Sequence, residues 1–473
     1  MRNSKVVSLE EAIRRSGLRD GMTISFHHHF RGGDKVVNMV VDKLAQMGFK
    51  DLKLAASSLS DVHAPLIEHI KSGVITGIST SGLRGALADE ISHGLMEEPV
   101  VFRSHGGRGS AIAKGELKID VAFLGASSSD ELGNACGFSR SENGKSICGS
   151  LGYALPDARY ASHVVVLTDD LVAYPNMPQS ISAADVESVV VVDSVGDSSK
   201  IAAGAIRDSK NPRDILLAKQ AAKVIISSGY FQDGFSIQTG TGGASLAAVK
   251  YIREEMLSRG IKASFALGGI TAHMVKLHEE GLIGTLIDVQ SFDKVAAESI
   301  KNDPSHQEVS AVEYASGQHL GSATHALDIV ILSALEVDTN FNVNVLVGSD
   351  GIIRGAIGGH QDTAADSALS IIVCPLLRGR IPCVVPKVTT LITPGSTVDV
   401  VVTEYGIAVN PDRPEVADRL IAAGLHVVPI AELAAKAQSI IGTPDPLPFG
   451  DKVVGIVMNR DGSVLDKIYN IVD

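Results

Sequence analysis

The sequence predicts an α/β protein with two similar tandem domains, each containing a mostly parallel sheet. Short Val- and Ile-rich runs alternate with segments of helical periodicity, which is the pattern of strands and covering helices. A chain of 473 residues is too long for one hydrophobic core. The sequence also repeats itself after roughly 210 residues, far more than one solenoid unit, and therefore indicates two domains.

The repeat is clearest where a strand is followed by a glycine turn and a helix. In the first half, residues 20–25 lead through Arg31-Gly32-Gly33 into a helical segment. In the second half, residues 233–238 lead through Gly240-Thr241-Gly242-Gly243 into another. Paired α/β domains commonly bind ligands in a cleft at the carboxyl ends of their strands. We therefore expect the active site in the inter-domain cleft.

Capping residues indicate where the predicted domains begin. Ser8 followed by Glu11 opens the first helix as a capping box, and Asn211-Pro212 opens another after the polar stretch 196–212. We therefore predict domains over residues 1–210 and 211–473, the second ending in a hairpin that turns at Arg460-Asp461-Gly462. Further strands are predicted at 164–167, 189–192, 343–347, 371–373, 400–402 and 453–457.

Composition excludes several functional classes. The net charge is −12 and aromatic residues make up only 4%, which argues against nucleic acid as a partner. The four cysteines have no zinc or redox spacing and are typical of reduced cytoplasmic thiols. The amino terminus lacks the apolar region of a signal peptide, and no apolar run reaches the roughly 18 residues of a membrane span. We expect a cytoplasmic protein that binds no membrane.

Two glycine clusters are candidates for binding an anion. Gly240-Thr241-Gly242-Gly243 offers backbone N–H groups at a helix start, or is only a tight turn. It lacks the third glycine and the later acid of a dinucleotide site, so NAD is disfavoured. The stretch 355–359, which precedes His360, offers bare main chain for the oxyanion of thioester chemistry, or is a bulge with a polar turn.

Histidines and arginines are candidates for binding carboxylates, which the negative net charge would otherwise repel. His27-His28-His29 suggests a metal, but in a strand the middle side chain faces away from its neighbours. With no acid or cysteine cluster nearby, we expect no metal. We predict instead a cleft wall where a histidine and Arg31 bind carboxylates, against the alternative that the imidazoles cap backbone groups. Arg108 and Arg378 add further cations. No serine-hydrolase elbow or phosphate-binding P-loop is present.

Motifs spread over almost the whole chain resemble the CoA-transferase superfamily and, within it, the citrate lyase α subunits. They are FHHHFRGGDKVVNMV (26–40), SSLSD (57–61), SHGGR (104–108), CGSLGYA (148–154), DGFSIQTGTGGAS (233–245), ALGGIT (266–271), GSDGIIRGAIGGHQDTAA (348–365), RGRIPCVV (378–385) and VTEYGIAVNP (402–411). The combination is specific, and it implies a CoA-transferase-type fold for both domains.

The resemblance implies a citrate–acyl-carrier-protein transferase, which converts an acetyl thioester and citrate into a citryl thioester and acetate. It also implies two partners: a β subunit that cleaves the citryl thioester, and a γ carrier subunit whose CoA-like prosthetic group bears the thiol. No tightly bound cofactor is expected, free acetyl-CoA is an alternative donor, and a homo-oligomer is expected. Two alternatives remain open: a citramalate lyase α subunit, and a non-catalytic scaffold that docks the carrier.

One departure from the superfamily concerns the nucleophile. Many CoA transferases use a glutamate in an E-x-G stretch to form a glutamyl thioester, whereas the matching position here is Asp350. The citrate lyase branch is understood to avoid this intermediate, so that citrate attacks the acetyl thioester directly and forms a mixed anhydride. A carboxylate is already ionised at pH 7 and needs no general base. Glu142, in the duplicated string Ser141-Glu142-Asn143-Gly144, is kept as an alternative nucleophile.

These arguments assign a role to each candidate residue. Gly358 and Gly359 are the predicted oxyanion donors, and Asp350 orients groups near the carbonyl. Proximity and the oxyanion hole together supply about 10 kcal/mol in favourable cases. Substrate binding is predicted for His27, His29, Arg31, Arg108 and His360. Thioester or CoA binding is predicted for Gly240, Gly242, Gly243, Gly268 and Gly269.

Overall fold

Two large sheets dominate the computed structural model, which describes residues 4–202, 211–240 and 242–472. We call residues 4–202 the first half and residues 211–472 the second half. Most neighbouring strands in both sheets are parallel. The predicted class, α/β with mostly parallel sheets, is confirmed. Within the described residues, no helix is long and apolar enough to cross a membrane.

The first sheet has nine strands and takes most of them from the first half. They are β1 (Thr23–Phe26), β2 (Leu52–Ala56), β3 (Ile75–Thr80), β4 (Val100–Phe102), β5 (Val121–Ala126), β6 (His163–Thr168), β7 (Ser188–Val191), and the later strands Phe449–Met458 and Val464–Ile471. Their order is β7-β6-β5-β1-β2-β3-β4, followed by the two later strands. Val, Ile and Leu side chains fill these strands because both faces of the parallel sheet are covered.

The second sheet has eight strands, all from the second half. They are β8 (Ser236–Thr239), β9 (Ala263–Ile270), β10 (Ile283–Ser291), β11 (His306–Glu308), β12 (Ile329–Ser333), β13 (Leu369–Val373), β14 (Val400–Thr403) and β15 (Gly406–Val409). Their order is β11-β10-β9-β8-β12-β13-β14-β15. Read in the other direction, the series β12-β8-β9-β10-β11 corresponds strand by strand to β5-β1-β2-β3-β4 of the first sheet. The repeat seen in the sequence is therefore a repeat of topology.

Helices cover both sheets, and capping residues fix where several of them begin. They are α1 (Leu9–Arg15), α2 (Val36–Gln46), α3 (Leu66–Lys71), α4 (Ala86–Ser92), α5 (His105–Ala113), α6 (Leu155–Tyr160), α7 (Pro212–Ser227), α8 (Gly243–Arg259), α9 (Ala272–Glu279), α10 (Lys294–Asn302), α11 (Ala311–Ala315), α12 (His360–Asp366), α13 (Pro414–Ala422) and α14 (Ile430–Ile441). The Ser8 hydroxyl accepts a hydrogen bond from the Glu11 N–H, and Asn211 caps α7 in the same way. Both predicted helix starts are confirmed.

Short strands lie outside the two large sheets. They are Ser128–Asp130, Ala135–Cys136, Leu171–Val172, Glu336–Asp338, Val343–Asn344, Leu377–Arg378, Ile381–Pro382 and Val384–Val385. The strand predicted over 343–347 is therefore shorter than expected. The pair formed by Leu377–Arg378 and Ile381–Pro382 is a small antiparallel hairpin beside the second sheet.

The carboxyl-terminal hairpin belongs to the first sheet and not to the second, although the predicted domain 211–473 includes it. We number its strands β16 (Phe449–Met458) and β17 (Val464–Ile471). The hairpin itself was predicted correctly, but β16 pairs in parallel with β4 of the first sheet. Pairing covers the otherwise open edge of β4 and buries Val457 and Ile468. The predicted boundary at 210 adjoins residues 203–210, which lie outside the described residues.

Candidate active site

A cavity of about 660 Å³ lies between the two halves and is lined by residues of both. The first half contributes polar and aromatic groups, among them His28, Arg31, Arg84, His105 and Tyr153. The second half contributes strand ends, loops and short helices, among them Gln238, Gly240, Gly269, Tyr314, Arg378 and residues 354–360. Gln238 and Gly240 stand at the carboxyl end of β8, where ligand sites of parallel sheets form.

The glycine loop 355–359 is held in this cavity by main-chain hydrogen bonds to the first half. The Leu83 N–H donates to the Gly355 carbonyl at 3.1 Å, and the Ile357 N–H donates to the Ser81 carbonyl at 2.7 Å. The His105 N–H donates to the Gly358 carbonyl at 2.8 Å. On the loop, these bonds use the carbonyls of Gly355 and Gly358 and the N–H of Ile357. The position of the loop is therefore fixed through its main chain alone.

Gly358 and Gly359 keep their N–H groups available. Neither group donates a hydrogen bond to any residue that the structure describes. Gly358 has φ +58°, a left-handed conformation that favours glycine. Gly359 has φ −93°, but a Cβ atom there would lie 2.7 Å from the Tyr314 hydroxyl oxygen. Both glycines line the cavity, so the loop brings two donors that no described residue uses to the cavity wall.

Asp362, two residues beyond His360, ties the loop to the start of α5. Its carboxylate accepts hydrogen bonds from the Ser104 hydroxyl at 2.8 Å and from the Gly106 N–H at 2.9 Å. Burial raises the pKa of Asp362 to about 6, while Arg460, 3.9 Å away on the terminal hairpin, acts in the opposite direction. The site thus combines contributions from α5, α12 and the hairpin.

Four arginines give the cavity the positive charge that the whole chain lacks. Arg31, Arg84, Arg354 and Arg378 line it, and Asp61 carries the one carboxylate among the described lining residues. Arg31 is the most enclosed of them: its guanidinium lies 4.9 Å from the Phe292 ring, and its Nη1 is buried without a hydrogen-bond partner among the described residues. Burial, and then the charge of Arg84, lower the pKa of Arg31 to about 10, so it stays cationic at pH 7.

Two of the other three arginines are already engaged. Arg378 donates hydrogen bonds to the carbonyls of Ala334 and Leu335. These neutral oxygens offset its positive charge only in part. Arg354 forms an ion pair with Asp350 through Nε at 2.8 Å. Arg84 is exposed at the border of the cavity, so Arg31 is the enclosed cation that we expect to form a new bidentate contact with a carboxylate.

A cluster of imidazoles and one phenol forms the wall next to Arg31. The His28 ring lies 5.6 Å from His105 and 5.2 Å from Tyr153, and the His27 and His29 rings lie 4.1 Å apart. Burial is the largest cause that lowers the pKa of all four histidines, to about 4 for His27 and about 3 for His105. The histidines of this wall are therefore neutral at pH 7. The positive charge for binding a carboxylate comes from Arg31 and not, as the sequence predicted, from a histidine as well.

The buried histidines predict that stability falls on acidification. The pKa of His27 is about 4 in the folded protein and 6.5 in the reference state, so the unfolded chain binds more protons as the pH falls below 6.5. Between pH 7 and pH 5 this one histidine should cost about 2 kcal/mol of unfolding free energy. We expect His27→Gln to lose that part of the pH dependence, measured by urea unfolding at both pH values. An unchanged difference between the two pH values would contradict the assignment.

Three of the predicted substrate-binding residues do not line the cavity. Strand β1 ends at Phe26, so the alternation assumed for the histidines does not apply, and His28 reaches the cavity while His27 and His29 are buried behind it. Arg108 is also buried, and its two terminal nitrogens contact the Asp157 carboxylate at 2.7 and 2.8 Å. A buried guanidinium needs such a partner, which makes Arg108 structural.

The predicted carboxylates also lie elsewhere. Asp350 has a side chain 45% exposed and does not line the cavity, because it is turned toward Arg354. Glu142 is exposed on the loop after Arg140 and does not line the cavity either. Neither residue therefore lies where the sequence analysis placed it, beside the reacting carbonyl.

The predicted thioester glycines divide into two groups. Gly240 and Gly269 line the cavity, whereas Gly242, Gly243 and Gly268 do not. Gly243 begins α8 and Gly242 packs near Ser333. Thr241, which precedes Gly242, lies outside the described residues. Gly268 has φ +98° and lies against the Gln238 side chain, where a Cβ atom would come within 2.7 Å of the amide. Its role is to leave room for Gln238.

Sequence reasoning missed several residues of the cavity. They are His28, Arg84, Arg354, Gln238, Tyr153 and Tyr314. The position of Gln238 at the carboxyl end of a predicted strand was a usable signal. Tyr314 lies in the five-residue helix α11, and neither its spacing nor its neighbours in sequence distinguish it from a core residue.

Distant structural relatives share the fold of this chain. The α subunit in a Pseudomonas malonate decarboxylase hetero-tetramer structure, described as a complex with malonate, matches with a TM-score of 0.68 over 93% of this chain and 86% of its own, at 14% identity. A malonate decarboxylase α subunit from Acinetobacter baumannii gives 0.67 at 16% identity over 93% of both chains. At this identity the match shows the fold alone, which is α/β with mostly parallel sheets.

Closer relatives define the family. The family model described as "Citrate lyase, alpha subunit (CitF)" matches residues 3–471. Citrate lyase α chains from Escherichia coli K12 and Klebsiella pneumoniae are each 60% identical over 98% of this chain and 90% and 91% of their own. A crystal structure from Streptococcus mutans, described as a citrate lyase α subunit in complex with citrate, has a TM-score of 0.97 at 55% identity over 100% of this chain and 92% of that one.

The chain belongs to the citrate lyase α subunit family. It is thus the citrate–acyl-carrier-protein transferase component, an enzyme that acts within a citrate lyase complex containing other subunits. The resemblance found in the sequence is confirmed, and the citramalate lyase alternative is not favoured.

Proposed function

We propose that the cavity between the halves binds citrate beside an acetyl thioester, and that a citrate carboxylate attacks the thioester directly. The observation that carries this proposal is the pair of N–H groups on Gly358 and Gly359, which no described residue uses and which belong to the lining of a cationic cavity. The Streptococcus mutans relative, described as a complex with citrate, supports the same substrate here.

The cations provide for the three carboxylates of citrate. Arg31 would bind one of them bidentately, since its buried guanidinium has an unused nitrogen and remains charged. Arg84 and Arg378 border the same cavity and would offset the remaining charge. His28 is a neutral hydrogen-bonding partner rather than a cation, because burial lowers its pKa. His360 is neutral for the same reason, and its two ring nitrogens already contact the Thr393 hydroxyl and the Ser333 carbonyl.

The reaction needs two successive acyl transfers. First a citrate carboxylate oxygen bonds to the acetyl carbon, the C–S bond breaks, and a thiolate leaves. The thiolate then attacks the citryl carbonyl of the mixed anhydride, the C–O bond on that side breaks, and acetate leaves with the bridging oxygen. Each transfer passes through an oxyanion that N–H donors stabilise. No proton transfer is required, because the attacking group is ionised at pH 7.

The thioester would enter from a partner subunit. We infer a γ carrier subunit that bears a CoA-like prosthetic group, with free acetyl-CoA as a substitute donor, and a β subunit that cleaves the citryl product. Gly240 and Gly269 border the cavity on the second-half side and leave space for the thioester. A homo-oligomer of the chain remains part of this proposal.

The direct route predicts that carboxylates outside the cavity are dispensable. Asp350→Ala and Glu142→Gln should each keep kcat within about threefold of the parent, since neither residue lines the cavity. The assay is citrate-dependent acetate release from acetyl-CoA, followed by hydroxylamine or borohydride trapping and peptide mass analysis. A trapped acyl group on Asp350, Glu142 or Asp61 would refute the direct route.

A further inference from the structure

Tyr314 occupies an unusual position against the glycine loop. The residue is 2% exposed and lines the cavity from α11. A Cβ atom on Gly359 would lie 2.7 Å from its hydroxyl oxygen and 3.5 Å from its ring. The phenol is therefore in van der Waals contact with one of the two residues whose N–H groups are unused. Glycine at position 359 is what allows this approach.

Gln238 determines which part of the Tyr314 hydroxyl is free. Its side-chain amide nitrogen donates to the hydroxyl oxygen at 2.7 Å, so that the oxygen acts as acceptor. The hydroxyl hydrogen donates to no residue in the part of the chain that the structure describes. Gly268, with its left-handed backbone, leaves the space in which the Gln238 amide sits. This arrangement leaves the phenol with one unused donor inside the cavity.

The Tyr314 phenol is protonated at neutral pH and can therefore donate a hydrogen bond. Burial raises the pKa of its phenol well above the usual range, although the Gln238 hydrogen bond acts against the shift. Asp362 contributes a second upward effect. The hydroxyl therefore keeps its hydrogen at neutral pH and throughout the range in which citrate is ionised.

We propose that Tyr314 is a catalytic residue whose hydroxyl donates a hydrogen bond to the same oxyanion as Gly358 and Gly359, with Gln238 as its positioning residue. This inference rests on the proposed function. The phenol forms no covalent bond and transfers no proton; the hydrogen bond strengthens as charge develops on the carbonyl oxygen. Because the mechanism creates an oxyanion on the acetyl carbonyl and then on the citryl carbonyl, one donor would serve both transfers.

The first test removes only the hydroxyl. Tyr314→Phe should lower kcat for acetate release from acetyl-CoA and citrate by about 100-fold, the effect of losing one oxyanion donor. The citrate KM should change by less than about twofold. The protein should stay folded because the ring is kept, with a melting temperature a few degrees lower because the Gln238 amide loses its acceptor. Tyr405→Phe, an exposed tyrosine of the second half, is the matched control. A kcat for Tyr314→Phe within about threefold of the parent would overturn the inference.

The second test separates this inference from the proposed function. Gly359→Ala alone should be strongly impaired, because the added carbon meets the hydroxyl at 2.7 Å. In the Tyr314→Phe background the same change should cost no further activity, and a large further loss would contradict the contact. If Gly359→Ala is inactive while Tyr314→Phe is fully active, the tyrosine assignment fails and the glycine loop stands. If both are fully active, the oxyanion site itself is misplaced.

Discussion

Replacing Gly359 with valine is expected to abolish acyl transfer while leaving the protein folded. The backbone at this position, φ −93° and ψ 14°, lies outside the left-handed region, so the conformation does not require glycine. Its first side-chain carbon would meet the Tyr314 hydroxyl at 2.7 Å, and the branched methyls would enter the cavity in front of the unused N–H groups. We expect kcat to fall by at least about 1000-fold, since donors and space are lost together.

The assay for Gly359→Val is citrate-dependent release of acetate from acetyl-CoA, with circular dichroism and thermal unfolding as measures of the fold. Gly321→Val is the matched control, because Gly321 is exposed and a Cβ atom there has no neighbour closer than 3.3 Å. The control should retain full activity. Turnover by a folded Gly359→Val protein at more than a tenth of the parental rate would remove the glycine loop from the reaction.

Arg31→Ala is expected to raise the citrate KM by about 100-fold, equivalent to about 2.7 kcal/mol of binding free energy. The guanidinium is buried, charged at pH 7 and has an unused nitrogen, so its loss removes the enclosed cation of the cavity. The KM for acetyl-CoA should change by less than about threefold. Arg31→Lys should recover only part of the affinity, because an ammonium group cannot make the bidentate contact.

Steady-state kinetics with each substrate varied in turn measures both KM values for Arg31→Ala. Arg380→Ala, an exposed arginine outside the cavity on the neighbouring hairpin, is the control and should leave both values unchanged. Equal effects of Arg31→Ala on the two substrates would mean that Arg31 acts on the general shape of the site rather than on citrate.

Local signals in the sequence predicted local structure well. The caps at Ser8 and Asn211 depend on a side chain and an N–H two or three residues away, and both form. The hairpin around residues 460–462 depends on its own turn, and it forms as well. The glycine stretch 355–359 was singled out because thioester chemistry needs bare main chain, and it lines the cavity.

Contacts distant in the sequence could not be predicted in this way. The terminal hairpin pairs with β4 more than 300 residues earlier, a choice set by an open sheet edge and not by its own residues. The carboxylate that neutralises Arg108 lies 49 residues away at Asp157, so the arginine resembled a free cation. His27 to His29 were treated as part of a strand, but β1 ends at Phe26 and the chain turns there.

On the proposed route, citrate's own carboxylate attacks the thioester in the cavity. The decisive experiment is a single turnover with excess protein, acetyl-CoA and citrate labelled with ¹⁸O in its carboxylates, followed by mass analysis of the acetate released. Direct attack leaves the bridging oxygen in acetate, so we expect acetate with one ¹⁸O atom in the first turnover. Unlabelled acetate, with the label appearing on an Asp or Glu of the protein, would contradict it.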